Sequence, residues 1–258
     1  MVTGDRRRRV SRRELFRYAA LAPAVLSVAA VLPAPYATAS VAGRSVFLDA
    51  GHGGVYDDSI NRQVPNGRGG TKPCNTSGTA ADGGYPEHAF TFDVVNRIAE
   101  ALNQLGVHTQ LSRGDDNSVG PCIDQRAAEA NTIRPDAIVS IHADGGPASG
   151  RGFHVNYSSP PLNDVQATSG VQLANIMRDA MAGAGFPPSN YVGANGLYGR
   201  ADLAGLNLAE CPAVLVELGN MKNAEDAAQM QSGDGRARYA AAVTQGIVNF
   251  LNARAPAG

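Results

Sequence analysis

Beyond residue 40 the sequence contains no apolar run approaching the roughly 20 residues that a bilayer span needs. It has no surplus of positive charge, since 22 Lys and Arg stand against 23 Asp and Glu in 258 residues. Internal repeats and low-complexity tracts are absent, as is any HExxH-type motif. The three cysteines, Cys74, Cys122 and Cys211, have no CxxC neighbour. These absences argue against a membrane span in the body of the chain, a repeat array, a metal site written in one short motif and a zinc–thiolate cluster. The charge balance implies no basic surface, so nucleic acid is not expected as a partner.

What is present begins with an address label. Arg6 to Arg9 are basic, and Ser11-Arg12-Arg13-Glu14-Leu15-Phe16-Arg17 sets paired arginines before an apolar run, Tyr18 to Leu32, that Pro23 interrupts. Ala37-Thr38-Ala39 offers a small-x-small cleavage site, with Ser40 as the first mature residue. This order predicts a signal peptide of twin-arginine type over residues 1–39; an uncleaved membrane anchor is the alternative. Its removal takes seven arginines with Asp5 and Glu14, leaving 15 of 22 basic and 21 of 23 acidic side chains, a net charge near −6. Residues 40–258 are enough for one well-buried domain and short for two. Export also suits Cys74 and Cys122, which lie in Gly/Pro-rich loops where a disulfide staples flexible chain; the two are expected to pair. Cys211, ahead of Pro212 and an apolar strand, reads as a buried free thiol.

Hydrophobic periodicity sets the elements. Residues 46–50, 137–141 and 213–216 are apolar runs of strand length, while 107–111 and 152–157 alternate as further strands. Apolar residues at 90, 94, 95, 98, 101, 102 and 105 predict an amphipathic helix over 87–105, with Pro86 in its first turn and Gly106 as its stop. Helices are also expected over 123–133, 164–184, 224–231 and 236–253. Residues 55–86 have no hydrophobic period and read as a long loop, of a length that is usually functional or mobile. Residues 191–208 are glycine-rich, with strand-like pieces at 197–198 and 206–208. Strands alternating with helices predict the α/β class. The expectation is one three-layer domain, with a mainly parallel central sheet of about six strands and helices on both faces.

In open α/β sheets ligands bind beyond the carboxyl ends of the strands. His52, His142 and Glu217 all fall at or just past such ends, the two histidines closely followed by paired glycines, and Glu87 opens a helix. Two imidazoles and a carboxylate suit a catalytic zinc site that keeps one position for water. A further carboxylate can take the proton of that water as it attacks a carbonyl. The candidate ligands are His52, Glu87 and His142, and the candidate base is Glu217. Spacing alone does not decide between Glu87 and its neighbour His88, because an acid at a helix start also suits the helix dipole. A lone histidine in a turn is as often simply solvated. An unpaired carboxylate at the end of an apolar strand is costly, which favours a functional role for Glu217. His108 and His154, inside strand-like segments, read as structural or exposed. Arg113 and Arg126 read either as groups orienting carboxylates or as surface salt bridges.

Leu48-Asp49-Ala50-Gly51-His52-Gly53-Gly54, Glu87, Ser140-Ile141-His142-Ala143-Asp144 and Pro212-Ala213-Val214-Leu215-Val216-Glu217-Leu218-Gly219 resemble the zinc-dependent N-acetylmuramoyl-L-alanine amidases of the amidase_3 family. The likeness runs from about residue 44 to 251, with four separated motifs in order. It implies one zinc ion held by His52, Glu87 and His142, with Glu217 as catalytic acid/base. The implied reaction is hydrolysis of the amide between the lactyl group of N-acetylmuramic acid and L-alanine, in peptidoglycan or a muropeptide. The leader predicts export to the periplasm, the wall or outside the cell, and the mature chain is expected to be a monomer. Asp144 stands where the family often has Asn, and Asn220 and Lys222 depart from its last motif, which bears on substrate preference. The regulatory helix that some relatives insert is not seen, and 164–184 reads as part of the covering layer. A zinc peptidase or deacylase of similar architecture, or a wall-binding regulator without catalysis, are the competing readings.

Overall fold

A computed structural model describes residues 41–254, which lie within one compact unit. The expected signal peptide and its cleavage site fall outside the described residues.

Strand β1 (Ser45–Ala50) is followed by a small separate hairpin, β2 (Gln63–Pro65) and β3 (Thr71–Pro73). The central sheet then collects β4 (His108–Leu111), β5 (Ala137–Asp144), β6 (His154–Ser158), β7 (Leu197–Arg200) and β8 (Ala213–Asn220) in the order β4-β1-β5-β8-β6-β7. Every pairing is parallel except β6 against β8. The expected mainly parallel six-stranded sheet is therefore present, with one reversal that becomes important at the site.

Alternation along each strand sorts the side chains into two unlike faces. On one face Val46, Leu48, Ala50, Val139, Ile141, Val155, Val214 and Val216 are buried in the main core. That face is covered by α1 (Glu87–Gln104), α3 (Val171–Gly183) and α6 (Gly233–Ala253). The apolar stripes read from periodicity are what these helices bury: Phe90, Val94, Val95, Ile98 and Leu102 from α1, and Tyr239, Val243, Ile247, Phe250 and Leu251 from α6. Tyr239 stacks on Phe186 at 4.3 Å and meets Phe90 edge-on at 5.9 Å. On the opposite face Phe47, Ile138 and Ala213 form a smaller cluster with Ala130 of α2 (Ile123–Ile133) and Leu206 of α4 (Ala204–Leu208). Further toward the carboxyl ends this face turns polar, presenting Asp49, Ser140, His142, Glu217 and, from β6, His154 and Asn156. The helices on this side stop short, and a groove of about 420 Å³ remains over the polar half.

Several expectations are corrected. Residues 206–208 form a helical turn rather than a strand, because the Asn207 backbone N–H bonds to the Leu203 carbonyl at 3.0 Å and its side chain donates to the carbonyls of Asn66 and Ala201. The 55–86 loop contains a 3-10 turn (Asp58–Asn61) and the β2–β3 hairpin. Strands β5 and β8 continue through His142 and Glu217, which pair with each other in register. Cys211 is only partly buried, at the edge of the smaller cluster. Cys74 and Cys122 are joined by a disulfide, tying the loop to the start of α2. No helix among the described residues is long and apolar enough to cross a membrane. The closing helix α5 (Ala224–Gln231) starts on an Asn223 cap whose side chain accepts from Glu225 and Asp226 N–H groups.

Candidate active site

The chain leaves β1 through Gly51-His52-Gly53. His52 has φ +64, a left-handed conformation that costs a residue with a Cβ about 1–2 kcal/mol. Such strain persists only when the surroundings over-determine it. Arg126 Nη2 donates to the His52 carbonyl at 2.8 Å, and His52 Nδ1 lies 2.8 Å from the Thr76 carbonyl. A Cβ on Gly51 would stand 2.4 Å from the His142 ring, so the turn admits only glycine there.

Glu87 opens α1, and its backbone N–H bonds to the Thr79 carbonyl at 2.9 Å while its Oε2 accepts from Thr79 N–H at 2.9 Å. The other oxygen, Oε1, lies 3.1 Å from His52 Nε2 and 3.0 Å from His142 Nδ1, and accepts from Ala143 N–H at 3.1 Å. The two imidazoles meet edge-on with centroids 4.9 Å apart. One ligand atom from each of His52, Glu87 and His142 thus lies within 4.8 Å of the others, forming a metal-binding triad. The Thr76 carbonyl accepts from His52 Nδ1–H, the outer hydrogen bond usual for a metal-binding imidazole, and Nε2 is turned toward the centre beside Glu87 Oε1. The donor set of two nitrogens and one carboxylate oxygen fits a metal that keeps an open position for water. Glycine is again required at Gly78, where a Cβ would sit 2.7 Å from Glu87 Oε2 and 2.8 Å from the His52 ring at φ +72.

Glu217 stands beside the triad on β8, lining the same groove, with its Oε2 sequestered and without a hydrogen-bond partner. The two carboxylates are pushed apart. Burial alone would raise Glu87, but the His52 and then His142 imidazoles hold it well below the ordinary carboxylate range. Burial, followed by the nearby Glu87 and Asp144 charges, pushes Glu217 well above that range, with Arg200 opposing. Burial would lower His52, and Glu87 reverses this to a net rise. Titratable groups whose environments separate them in this way mark acid/base assignments.

Behind the triad the two arginines are buried and hold backbone. Arg126 donates to Asp49 Oδ1 at 2.7 Å and to the carbonyls of Ala50 at 2.7 Å and Pro121 at 2.9 Å. Arg113 donates to the carbonyls of Ala50 at 3.2 Å and His88 at 2.9 Å, and pairs with Asp116 at 2.7 Å. Neither makes a surface salt bridge. Asp49 also accepts from Ser140 Oγ at 2.9 Å, and Thr91 Oγ1 caps the Gly51 carbonyl at 2.9 Å. His88, the rival to Glu87, turns away to Asp116 at 2.9 Å. His108 is exposed, whereas His154 is buried and faces Glu217 in register. Thr76, Thr79 and His154 are the residues that pattern reading passes over.

The groove runs from the triad between the β2–β3 hairpin (Lys72, Pro73) and α4 with its N-cap (Leu206, Leu203), with Phe47, Ile138 and Leu215 beneath. Helix α3 lies on the other face of the sheet and does not enter it. The residues that depart from the family motifs have partners of their own, and Asp144 also lines the groove. Asp144 accepts from the Tyr191 hydroxyl at 2.8 Å, Asn220 donates to the carbonyls of Pro147 and Gly150 at 2.8 Å each, and Lys222 reaches Asp82 at 3.3 Å.

Residues 46–249 match the Amidase_3 family, described as N-acetylmuramoyl-L-alanine amidase. The chain is 59% identical over 232 residues to N-acetylmuramoyl-L-alanine amidase Rv3717 of Mycobacterium tuberculosis, covering 90% of this chain and 94% of that protein. Among solved structures it is similar to the N-acetylmuramyl-L-alanine amidase Ami1 of Mycobacterium smegmatis, with TM-score 0.83 and 60% identity over 83% of this chain and all of that one. Apo Ami1 of Mycobacterium abscessus gives TM-score 0.81 and 63% identity, covering 82% of this chain and 100% of that one. With the family match spanning most of the chain and a relative 59% identical over nearly its whole length, the chain belongs to the Amidase_3 family of N-acetylmuramoyl-L-alanine amidases.

Proposed function

We propose that this protein hydrolyses the amide between the lactyl carboxyl of N-acetylmuramic acid and the amine of L-alanine, using one zinc ion held by His52, Glu87 and His142. The observation that carries the reading is the placement of Glu217, in register with His142 and next to the triad, with a carboxylate that keeps its proton unusually well. Bound zinc supplies Lewis acidity and a water acidified toward neutral pH. Glu217 accepts the proton of the attacking water and returns it to the departing alanine amine, and its raised affinity for protons suits both transfers. His52 and Glu87 are locked by Thr76 and Thr79, so the ligand set is pre-organised before substrate arrives. The groove along the second sheet face leads to the triad and is roomy enough for a peptide segment.

The same reading makes residues 1–39 an export signal and residues 40–258 the catalytic domain, acting on peptidoglycan or its fragments as a monomer. The Cys74–Cys122 disulfide supports export, because such bonds persist in oxidising compartments. The direct test incubates purified protein with a muramoyl dipeptide and resolves the products by mass spectrometry, with and without chelator. Release of an alanine-terminated peptide and a free lactyl carboxyl, stopped by chelator and restored by zinc, is the expected result. Cleavage between amino acids of the stem instead identifies a zinc peptidase.

A further inference from the structure

His154 has no place in the chemistry above, yet its position is specific. Phe153 and Val155 enter the main core, so His154 and Asn156 point to the opposite, polar face of β6. Because β6 runs antiparallel to β8, His154 pairs directly with Glu217, and directly opposed residues hold their Cβ atoms about 4.5–5.5 Å apart. His154 is 2% exposed and Asn156 1%. Three neighbouring buried atoms on this patch, His154 Nδ1, Asn156 Oδ1 and Glu217 Oε2, have no hydrogen-bond partner. Buried polar atoms are almost always bonded, and three orphans in one place call for a shared contact. The ring is boxed edge-on by Tyr191 at 6.2 Å and Tyr198 at 5.9 Å, which fixes its orientation.

We propose that His154 is a positioning residue for Glu217, fixing the plane of its carboxylate by hydrogen bonding the sequestered oxygen Oε2 through Nδ1. The inference rests on the reading of Glu217 as the base. The two side chains make no direct hydrogen bond, so the bond runs through one interior water, which pins the inner oxygen and leaves Oε1 for the substrate side. Burial, only partly offset by Asp144 and reinforced by Arg200, pulls the imidazole down to about 4, so the ring is neutral at working pH and its nitrogens are one donor and one acceptor. Such a neutral partner holds a carboxyl in either protonation state, which a base that later acts as an acid requires.

Three substitutions separate positioning from packing. His154→Asn sets an amide where Nδ1 stands, His154→Gln reaches instead to the Nε2 position, and His154→Phe keeps the volume without nitrogen. Loss of a hydrogen bond to a charged group predicts that Gln and Phe lower kcat about tenfold to a hundredfold, while Asn stays within about threefold of wild type. KM and bound metal stay unchanged in all three. Equal losses in the three variants, or a Phe variant with wild-type kcat, overturn the proposal. A second readout needs no turnover: ring-nitrogen NMR on the holoenzyme, with His154 assigned by its loss in His154→Asn. Glu217→Gln is expected to move the Nδ1 signal and leave Nε2 in place, and an unmoved Nδ1 overturns the contact. A metal-loaded wild type that cleaves no muramoyl amide defeats the reading of Glu217 as base, and the NMR arm then still decides the contact.

Discussion

At the scale of single residues, holding the metal and moving the proton fall to different side chains. Glu217→Gln is expected to lower kcat by about 10²–10⁴, the usual worth of a positioned acid/base, while bound zinc remains at the wild-type level. Steady-state kinetics beside metal analysis of the same preparation checks both halves, and a variant that loses its metal would make Glu217 a ligand. Gly51→Ala tests the other side. Its Cβ would stand 2.4 Å from the His142 ring, so zinc affinity is expected to fall at least about tenfold, the scale of damage to groups that orient ligands. Competition with a chromogenic chelator reads this directly, and an unchanged affinity would mean that the ring has room to yield. His52 and His142 announce themselves because apolar runs lead straight into them. His154 lies in an alternating strand much as the exposed His108 does. What distinguishes it is the antiparallel insertion of β6 beside β8, a long-range pairing that no local pattern prints.

At the scale of elements, β1 and the 55–86 loop act as one unit. The loop has no hydrophobic period, so its hairpin and its contacts with the triad were not legible in the sequence. They depend on the Cys74–Cys122 bond, on the Thr76 carbonyl accepting from His52, and on the Thr79 N–H donating to Glu87. Helix α4 was missed for a similar reason: one turn held by Asn207 has too few residues to show a period. The long helices and the buried strands were legible, because burying an apolar stripe is what defines them. The disulfide closes a separation of 48 residues. Replacing both cysteines by serine is expected to cost about 2–4 kcal/mol and to lower Tm by roughly 5–15 °C, measurable by calorimetry; an unchanged Tm would show that the loop is held without it. The Asp49–Arg126 pair gives a pH signature. Burial pushes the Asp49 carboxyl up, but Arg126 beside it wins and brings it from 3.8 to about 2. A carboxyl lowered in the folded state contributes stability above its unfolded value and loses it as pH falls through the folded one. About 2 kcal/mol is therefore expected to disappear between pH 4 and 2. Asp49→Asn should flatten that part of a stability–pH curve, and a parallel curve would contradict the pairing.

At the scale of the whole molecule, one sheet face packs the main core while the other carries a smaller apolar cluster and the site. With residues 1–39 removed the net charge is near −6, which disfavours approach to an anionic wall at low ionic strength. Turnover of soluble muropeptide is accordingly expected to exceed release from intact sacculi, with the gap narrowing as salt rises; tight co-sedimentation with sacculi at low salt would contradict this. The central claim is that a single zinc at His52, Glu87 and His142 makes the muramoyl amide cleavable. The most direct measurement strips the protein of metal and titrates zinc back while counting lactyl carboxyls released from a muramoyl dipeptide. Cleavage is predicted to rise linearly and level off at one zinc per chain, and to stay absent in His142→Ala. Full cleavage by the stripped protein, or by His142→Ala, would contradict the account.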